Sequence, residues 1–138
     1  MGLVYAMSRP TDVGSIKIGH HILIDNEPCR VVEYEKSKPG KHGSAKARIV
    51  AIGVFDGGKR SIVSPVDAKI DVPIIEKRSG QVVSTSDNSI QLMDLETFDI
   101  FFSSMPPEED VKAKISPGAE VEYWKVFDRT KIMRVKGA

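Results

Sequence analysis

Cysteine is almost absent from this chain. Its 138 residues include one, Cys29, so no internal disulfide can form, and the composition fits a reducing, cytoplasmic setting. Of three histidines, His20 and His21 are adjacent. In a strand, neighbours point to opposite faces and cannot share one ion. With no His/Cys spacing pattern, no metal site is expected. No apolar run approaches the length of a membrane span, so no membrane partner is expected. Met1 to Pro10 lacks a basic start and a long apolar core, which argues against a secretory signal. An excess of charge is lacking too. Lys and Arg total 20 against 19 Asp and Glu, a net charge of +1. That is too little for a general nucleic-acid coat, and no DNA partner is expected.

Sustained helical periodicity is also missing from the first half. What is present is a series of short β-branched runs separated by Gly, Pro and Asp/Asn turns, the pattern of a small barrel. Residues 1 to about 14 read as a loose arm. Lys17–Gly19 and His20–Asp25 follow as short strands, then a turn at Asn26-Glu27-Pro28. Cys29 reads as a small core residue. A break falls in Val66–Pro73, where Pro73 coincides with a change in charge sign. Residues 1–72 hold 11 Lys and Arg against 8 Asp and Glu, and residues 73–138 hold 9 against 11.

The second half restarts with strands at Ile74–Arg78, Gln81–Thr85, Ser89–Leu95 and Thr97–Ser103. One helix signal follows around Glu108–Ile115, with acids in its first turn and lysines near its end, as the helix dipole favours. A final hairpin closes over Asp128-Arg129-Thr130. A run of short strands with one short helix before the last hairpin fits an OB-like barrel. The fold expected is therefore all-β, with two small barrels in tandem over residues 1–72 and 73–138.

One stretch stands apart. Ser37-Lys38-Pro39-Gly40-Lys41-His42-Gly43-Ser44-Ala45-Lys46 lies between two strand-like runs, Pro28–Glu35 and Ala47–Val54. It reads as the tip of a long β-hairpin, with Pro39 and Gly40 suited to the turn and Lys41 at or just past the apex. From Lys36 to Phe55 the chain has five basic residues, Lys36, Lys38, Lys41, Lys46 and Arg48, together with His42, and no acid. The tip has almost no large apolar side chain to pack, so it should project into water and present its charge to phosphate.

Enzymatic readings of this tip fail on chemistry. A phosphate-binding loop of the GxxxxGK[ST] type would need glycine where Glu35 stands and Ser or Thr where His42 stands, followed by a helix rather than a strand. A Schiff-base lysine would need a dry pocket, which a glycine-flanked apex does not offer. Elsewhere, Asp94 with Glu96 and Glu120 with Glu122 share strand faces, as exposed strands often arrange carboxylates. Of Tyr123 and Trp124, one is expected in the core and the other could stack a base. No catalytic constellation can be assembled, and no enzyme is expected.

The ten residues Ser37–Lys46 closely resemble the modification loop of the hypusine-containing translation factor 5A family, in its archaeal form, related to bacterial elongation factor P. Ile24–Val32, Pro73–Lys77, Gln91–Glu96 and Glu122–Trp124 agree with it, and the likeness runs from about Ser15 to the end. Residues 1–14 carry no matching motif. The resemblance implies an SH3-like N-terminal barrel and an OB-fold C-terminal barrel. It implies that Lys41 receives an aminobutyl group from spermidine through deoxyhypusine synthase, giving hypusine or deoxyhypusine. Lys36, Lys38, Pro39, Gly40, His42, Gly43, Lys46 and Arg48 would form the loop that meets tRNA and rRNA. No bound cofactor is implied beyond that covalent group. The implied partners are the ribosome and peptidyl tRNA, and the implied outcome is peptide-bond formation at stalling sequences such as polyproline. The alternative is an OB-type RNA-binding module or RNA chaperone that works unmodified.

Overall fold

The computed structural model describes residues 8–38 and 45–137. The chain divides into two units, Met1–Ile74 and Ile75–Ala138. The first contains β1 (Ser8–Asp12), a 3-10 turn at Val13–Ser15, β2 (His21–Ile24), β3 (Glu27–Ser37), β4 (Lys46–Gly53), β5 (Lys59–Pro65) and β6 (Lys69–Pro73). The second contains β7 (Glu76–Thr85), β8 (Ser89–Asp94), β9 (Ile100–Ser104), the one-turn helix α1 (Glu109–Lys112), β10 (Glu120–Val126) and β11 (Arg129–Gly137).

In the first unit β2, β3, β4 and β5 form an antiparallel sheet in sequence order, and β1 pairs with β6 in a separate ribbon. The core is built by alternation. Ile22 and Ile24 of β2, Cys29 and Val31 of β3, and Ala47, Ile49 and Ala51 of β4 are buried together with Val13 and Ile16. Truncating a residue as enclosed as Ile49 to alanine would cost about 2–5 kcal/mol. Cys29 is buried as expected, and burial pushes its thiol pKa up, which makes it a packing residue rather than a nucleophile.

The second unit is a five-stranded antiparallel sheet in the order β11-β10-β7-β8-β9. Its core is Val82, Ile90, Leu92, Ala119, Val121, Tyr123 and Ile132, with Val111 and Ile115 packed against it from α1 and the turn after it. The architecture is all-β: an SH3-like barrel followed by an OB fold, with the short helix before the last hairpin.

Several local expectations are corrected. The segment read as a loose arm contains β1, and Val13 is wholly buried. Backbone bonds from Val13 N to Ala68 O and from Gly14 N to Val66 O tie it down, and Asp12 pairs with Lys69. Residues 17–19 turn rather than extend: Gly19 has φ +93°, and the ring of His20 accepts a hydrogen bond from Lys17 N at 3.1 Å. The following turn is at Asp25-Asn26, both at positive φ, between the paired residues Ile24 and Glu27. That geometry suits a two-residue hairpin loop.

Val66–Pro73 is not wholly a break, because Lys69–Pro73 is β6 of the first unit. The strands expected at Ile74–Arg78 and Gln81–Thr85 are one, β7 (Glu76–Thr85), and Ile74 and Ile75 lie outside it. Gly80 sits inside it because a Cβ there would lie 3.2 Å from Tyr123 Cδ1 and 3.3 Å from the Met93 carbonyl. The strand expected at Thr97 starts at Ile100, after a turn in which Phe98 adopts φ 62°. The helix shrinks to Glu109–Lys112.

Candidate nucleic-acid interface

The basic hairpin is formed by β3 and β4. Their ladder runs from Cys29 opposite Gly53 to Ser37 opposite Lys46, with one irregularity between Val31 and Glu33. Beyond that irregularity the register places Tyr34 opposite Ile49 and Lys36 opposite Ala47 on one face, and Glu35 opposite Arg48 and Ser37 opposite Lys46 on the other. Ala47 and Ile49 are buried, so the alternation turns Lys46 and Arg48 outward. Lys36, Lys38, Lys46 and Arg48 are all exposed. Among the described residues none of the four makes an ion pair. Their charge is available to an outside partner, and the nearest acid across the ladder is Glu35, opposite Arg48.

The two arms are held differently. β4 is paired on both sides, to β3 and to β5, up to Lys46 opposite Pro65, and Ala45 O accepts a further bond from Val66 N at 3.0 Å. β3 is paired to β2 only over Glu27–Arg30, with Val31 adding bonds to Gly19 and His20. From Val32 onward β3 has a hydrogen-bonded neighbour strand on one side among the described residues. Tyr34 anchors this arm. Its hydroxyl donates to Val13 O at 2.8 Å, and Lys36 Nζ lies 5.8 Å from its ring centroid, within cation–π range. Burial pushes the Tyr34 phenol pKa up. In the sequence Tyr34 shows only as an aromatic at an inward position of an alternating strand.

Of the loop residues expected at the site, Lys36, Lys38, Lys46 and Arg48 fall on the ladder or directly beside it. Pro39, Gly40, Lys41, His42 and Gly43 lie outside the described residues. In sequence Lys41 falls midway between the paired residues Ser37 and Lys46.

The carboxylate pairs resolve into structural roles. Asp94 is not exposed, as expected from its strand face, but buried. Its Oδ2 accepts from Arg78 Nε at 2.6 Å and from the Tyr123 hydroxyl, and its Oδ1 from Arg78 Nη2 at 3.2 Å and the backbone N–H groups of Glu96 and Thr97 at 2.8 and 2.9 Å. Arg78 foremost, then Tyr123 and the two backbone donors, hold the Asp94 carboxyl well below the ordinary carboxylate range against the opposing effect of burial. Burial and the neighbouring carboxylate push the Tyr123 phenol up to about 12. A carboxylate saturated in this way is a tether, not a general base. Glu122 accepts from Trp124 Nε1 at 3.1 Å and pairs with Arg134 at 3.3 Å, while Glu120 lies 4.0 Å from Lys136 Nζ. Tyr123 is the core member of the aromatic pair, and half-buried Trp124 carries Lys77 Nζ 4.9 Å from its ring centroid.

Comparison with known proteins gives a consistent result. Residues 6–68 match the family described as translation initiation factor 5A-like, N-terminal. Residues 74–136 match that described as eukaryotic elongation factor 5A hypusine, DNA-binding OB fold. Translation initiation factor 5A of Thermofilum pendens is 60% identical over 129 residues, covering 94% of this chain and 98% of that protein. That of Metallosphaera sedula is 54% identical over 136 residues, covering 99% and 100%. The solved structure titled eukaryotic translation initiation factor 5A from Methanococcus jannaschii superposes with a TM-score of 0.85 at 40% identity, covering 95% of this chain and 98% of that one. A family member from Naegleria fowleri gives 0.77 at 28% identity, covering 94% and 99%.

Proposed function

The chain belongs to the translation initiation factor 5A family, and on that premise we propose that it binds the ribosome beside the peptidyl tRNA and promotes peptide-bond formation at stalling sequences such as polyproline. In this reading Lys41 carries an aminobutyl group transferred from spermidine by deoxyhypusine synthase, and the loop around it meets RNA. The observation that carries the reading is the ladder beneath the loop. It places Lys36, Lys38, Lys46 and Arg48 exposed and without ion-pair partners among the described residues, on either side of Lys41 in sequence.

The chemistry follows from those charges. Exposed lysines and arginine neutralise phosphates and position the hairpin along an RNA backbone. A lysine lengthened by a four-carbon amine is thin enough to enter a crevice that a whole loop cannot. There it would restrict the acceptor end of the tRNA to a reactive geometry, lowering the barrier through positioning rather than proton transfer. The chain is a substrate of its modifying enzyme and not itself an enzyme, and it works in the cytoplasm, where ribosomes and spermidine meet.

Intact-mass measurement of the protein from its native cells tests the proposal. A single aminobutyl or hydroxylated aminobutyl increment, mapped to the peptide containing Lys41, is the expected result. An unmodified native protein would favour an RNA-binding module that needs no adduct.

A further inference from the structure

The second unit has a surface that the hairpin reading does not use. Phe98, Ile100 and Phe102 are 66%, 56% and 72% exposed. Ile100 and Phe102 stand on one face of β9, and Phe98 lies two residues before that strand begins. Three large apolar side chains exposed within five residues of chain are costly to leave in water, and such groups mark contact sites. Beside them opens a cavity of about 450 Å³, whose walls include Phe101, Phe102 and Tyr123. Room of this size admits a long side chain.

The charge of the cavity selects the occupant. Its acids are Glu76, Asp94, Asp99 and Asp128, against Arg78 and Lys125. Arg78 is shared by Asp94 at 2.6 Å and Glu76 at 3.5 Å, so four carboxylates face one guanidinium and one ammonium, an excess of negative charge. Asp99 and Asp128 make no ion pair among the described residues. A phosphate backbone would be repelled here, whereas an arginine or lysine side chain finds carboxylates and aromatic faces together. We propose that this groove docks a protein partner through a basic, apolar segment, with a cationic side chain in the cavity and apolar neighbours on Phe98, Ile100 and Phe102. The site belongs to the second unit and should work in the unmodified chain.

The test uses the full recombinant chain without the adduct, so its failure leaves the Lys41 reading untouched. The probe is a short fluorescein-labelled peptide alternating leucine and arginine, followed by fluorescence anisotropy. Saturable binding is expected. It should weaken about tenfold in Phe102→Ser, since buried aromatic anchors dominate interfaces. It should weaken by a similar factor, about tenfold, in the double variant Asp99→Asn/Asp128→Asn and on raising salt from about 50 to about 500 mM. A peptide with glutamate in place of arginine should not bind. Should Phe102→Ser lower the melting temperature, the isosteric Asp→Asn pair carries the result alone. The proposal is overturned if the arginine peptide does not saturate or if neither variant weakens it. It is equally overturned if single-stranded RNA binds with the same dependence on Phe102, or if Phe102→Ser abolishes a dimer, which would make the occupant RNA or a second copy.

Discussion

The hydroxyl of Tyr34 donates to the carbonyl oxygen of Val13 at 2.8 Å, joining the outgoing arm of the basic hairpin to the 3-10 turn that closes the first core. Tyr34→Phe keeps the ring beneath Lys36 and removes only this bond. The expected loss is about 1 kcal/mol, the net worth of one hydrogen bond, because the Val13 carbonyl keeps the bond from Ile16 N at 3.2 Å. Urea unfolding should show a lower midpoint at unchanged slope.

Lys41→Arg keeps a positive charge but presents a guanidinium that stays protonated and is a poor nucleophile. From Lys38 to Ala45 the sequence has no large apolar side chain, so stability should change by no more than about 0.5 kcal/mol. Reconstituted synthesis of a polyproline peptide should nevertheless fail with this variant. Synthesis equal to that with modified wild type would mean that charge alone suffices.

Lys38→Ala and Lys46→Ala should behave otherwise. Each removes one exposed cation beside the loop, so ribosome affinity should fall. Its salt dependence should flatten by roughly one unit of slope for each phosphate left without its cation. The maximal rate at saturating factor should change less than the affinity. Titrating each variant at two ionic strengths separates the two effects.

The Arg78–Asp94–Tyr123 cluster predicts both ends of the pH–stability profile. Asp94 is depressed in the folded state, so its contribution is complete above the unfolded carboxyl value of about 3.9 and is lost progressively as pH falls below it. Tyr123 is raised to about 12. Its contribution is complete below the unfolded phenol value of about 10 and is lost as pH climbs from there. Asp94→Asn should cost about 2 kcal/mol at neutral pH, because Arg78 loses its two short bonds and keeps only the looser pairs with Glu76 at 3.5 Å and Glu96 at 4.0 Å, and it should flatten the acid limb. Tyr123→Phe should flatten the alkaline limb. Thermal melts across pH check both.

The long hairpin, the all-β second unit and the helix before its last hairpin were legible from alternation and turn residues, because those signals are local. What escaped the sequence depends on distant partners. The sequence divides strand patterns at Ser79-Gly80, yet Gly80 lies inside one strand, where a Cβ would crowd the Tyr123 ring at 3.2 Å. Asp94 looks like half of an exposed acidic pair, yet a guanidinium sixteen residues upstream in sequence draws it inward. Ser8–Asp12 carries no strong strand pattern and is extended because β6 lies alongside it. At the candidate site the lysines were legible from charge alone, whereas Tyr34 acquires its role only through Val13.

The one-sided pairing of β3 beyond Val31 has a consequence for solubility. Unpaired backbone along an exposed strand invites edge-to-edge association with other chains. On this strand Glu33, Glu35 and Lys36 are exposed, and in the sequence Lys38 follows directly. Charges of both signs at such an edge are gatekeepers that make self-pairing unfavourable. The residues that would draw RNA toward the hairpin therefore also keep copies of the protein apart, and neutralising several of them at once would exchange a specific partner for aggregation.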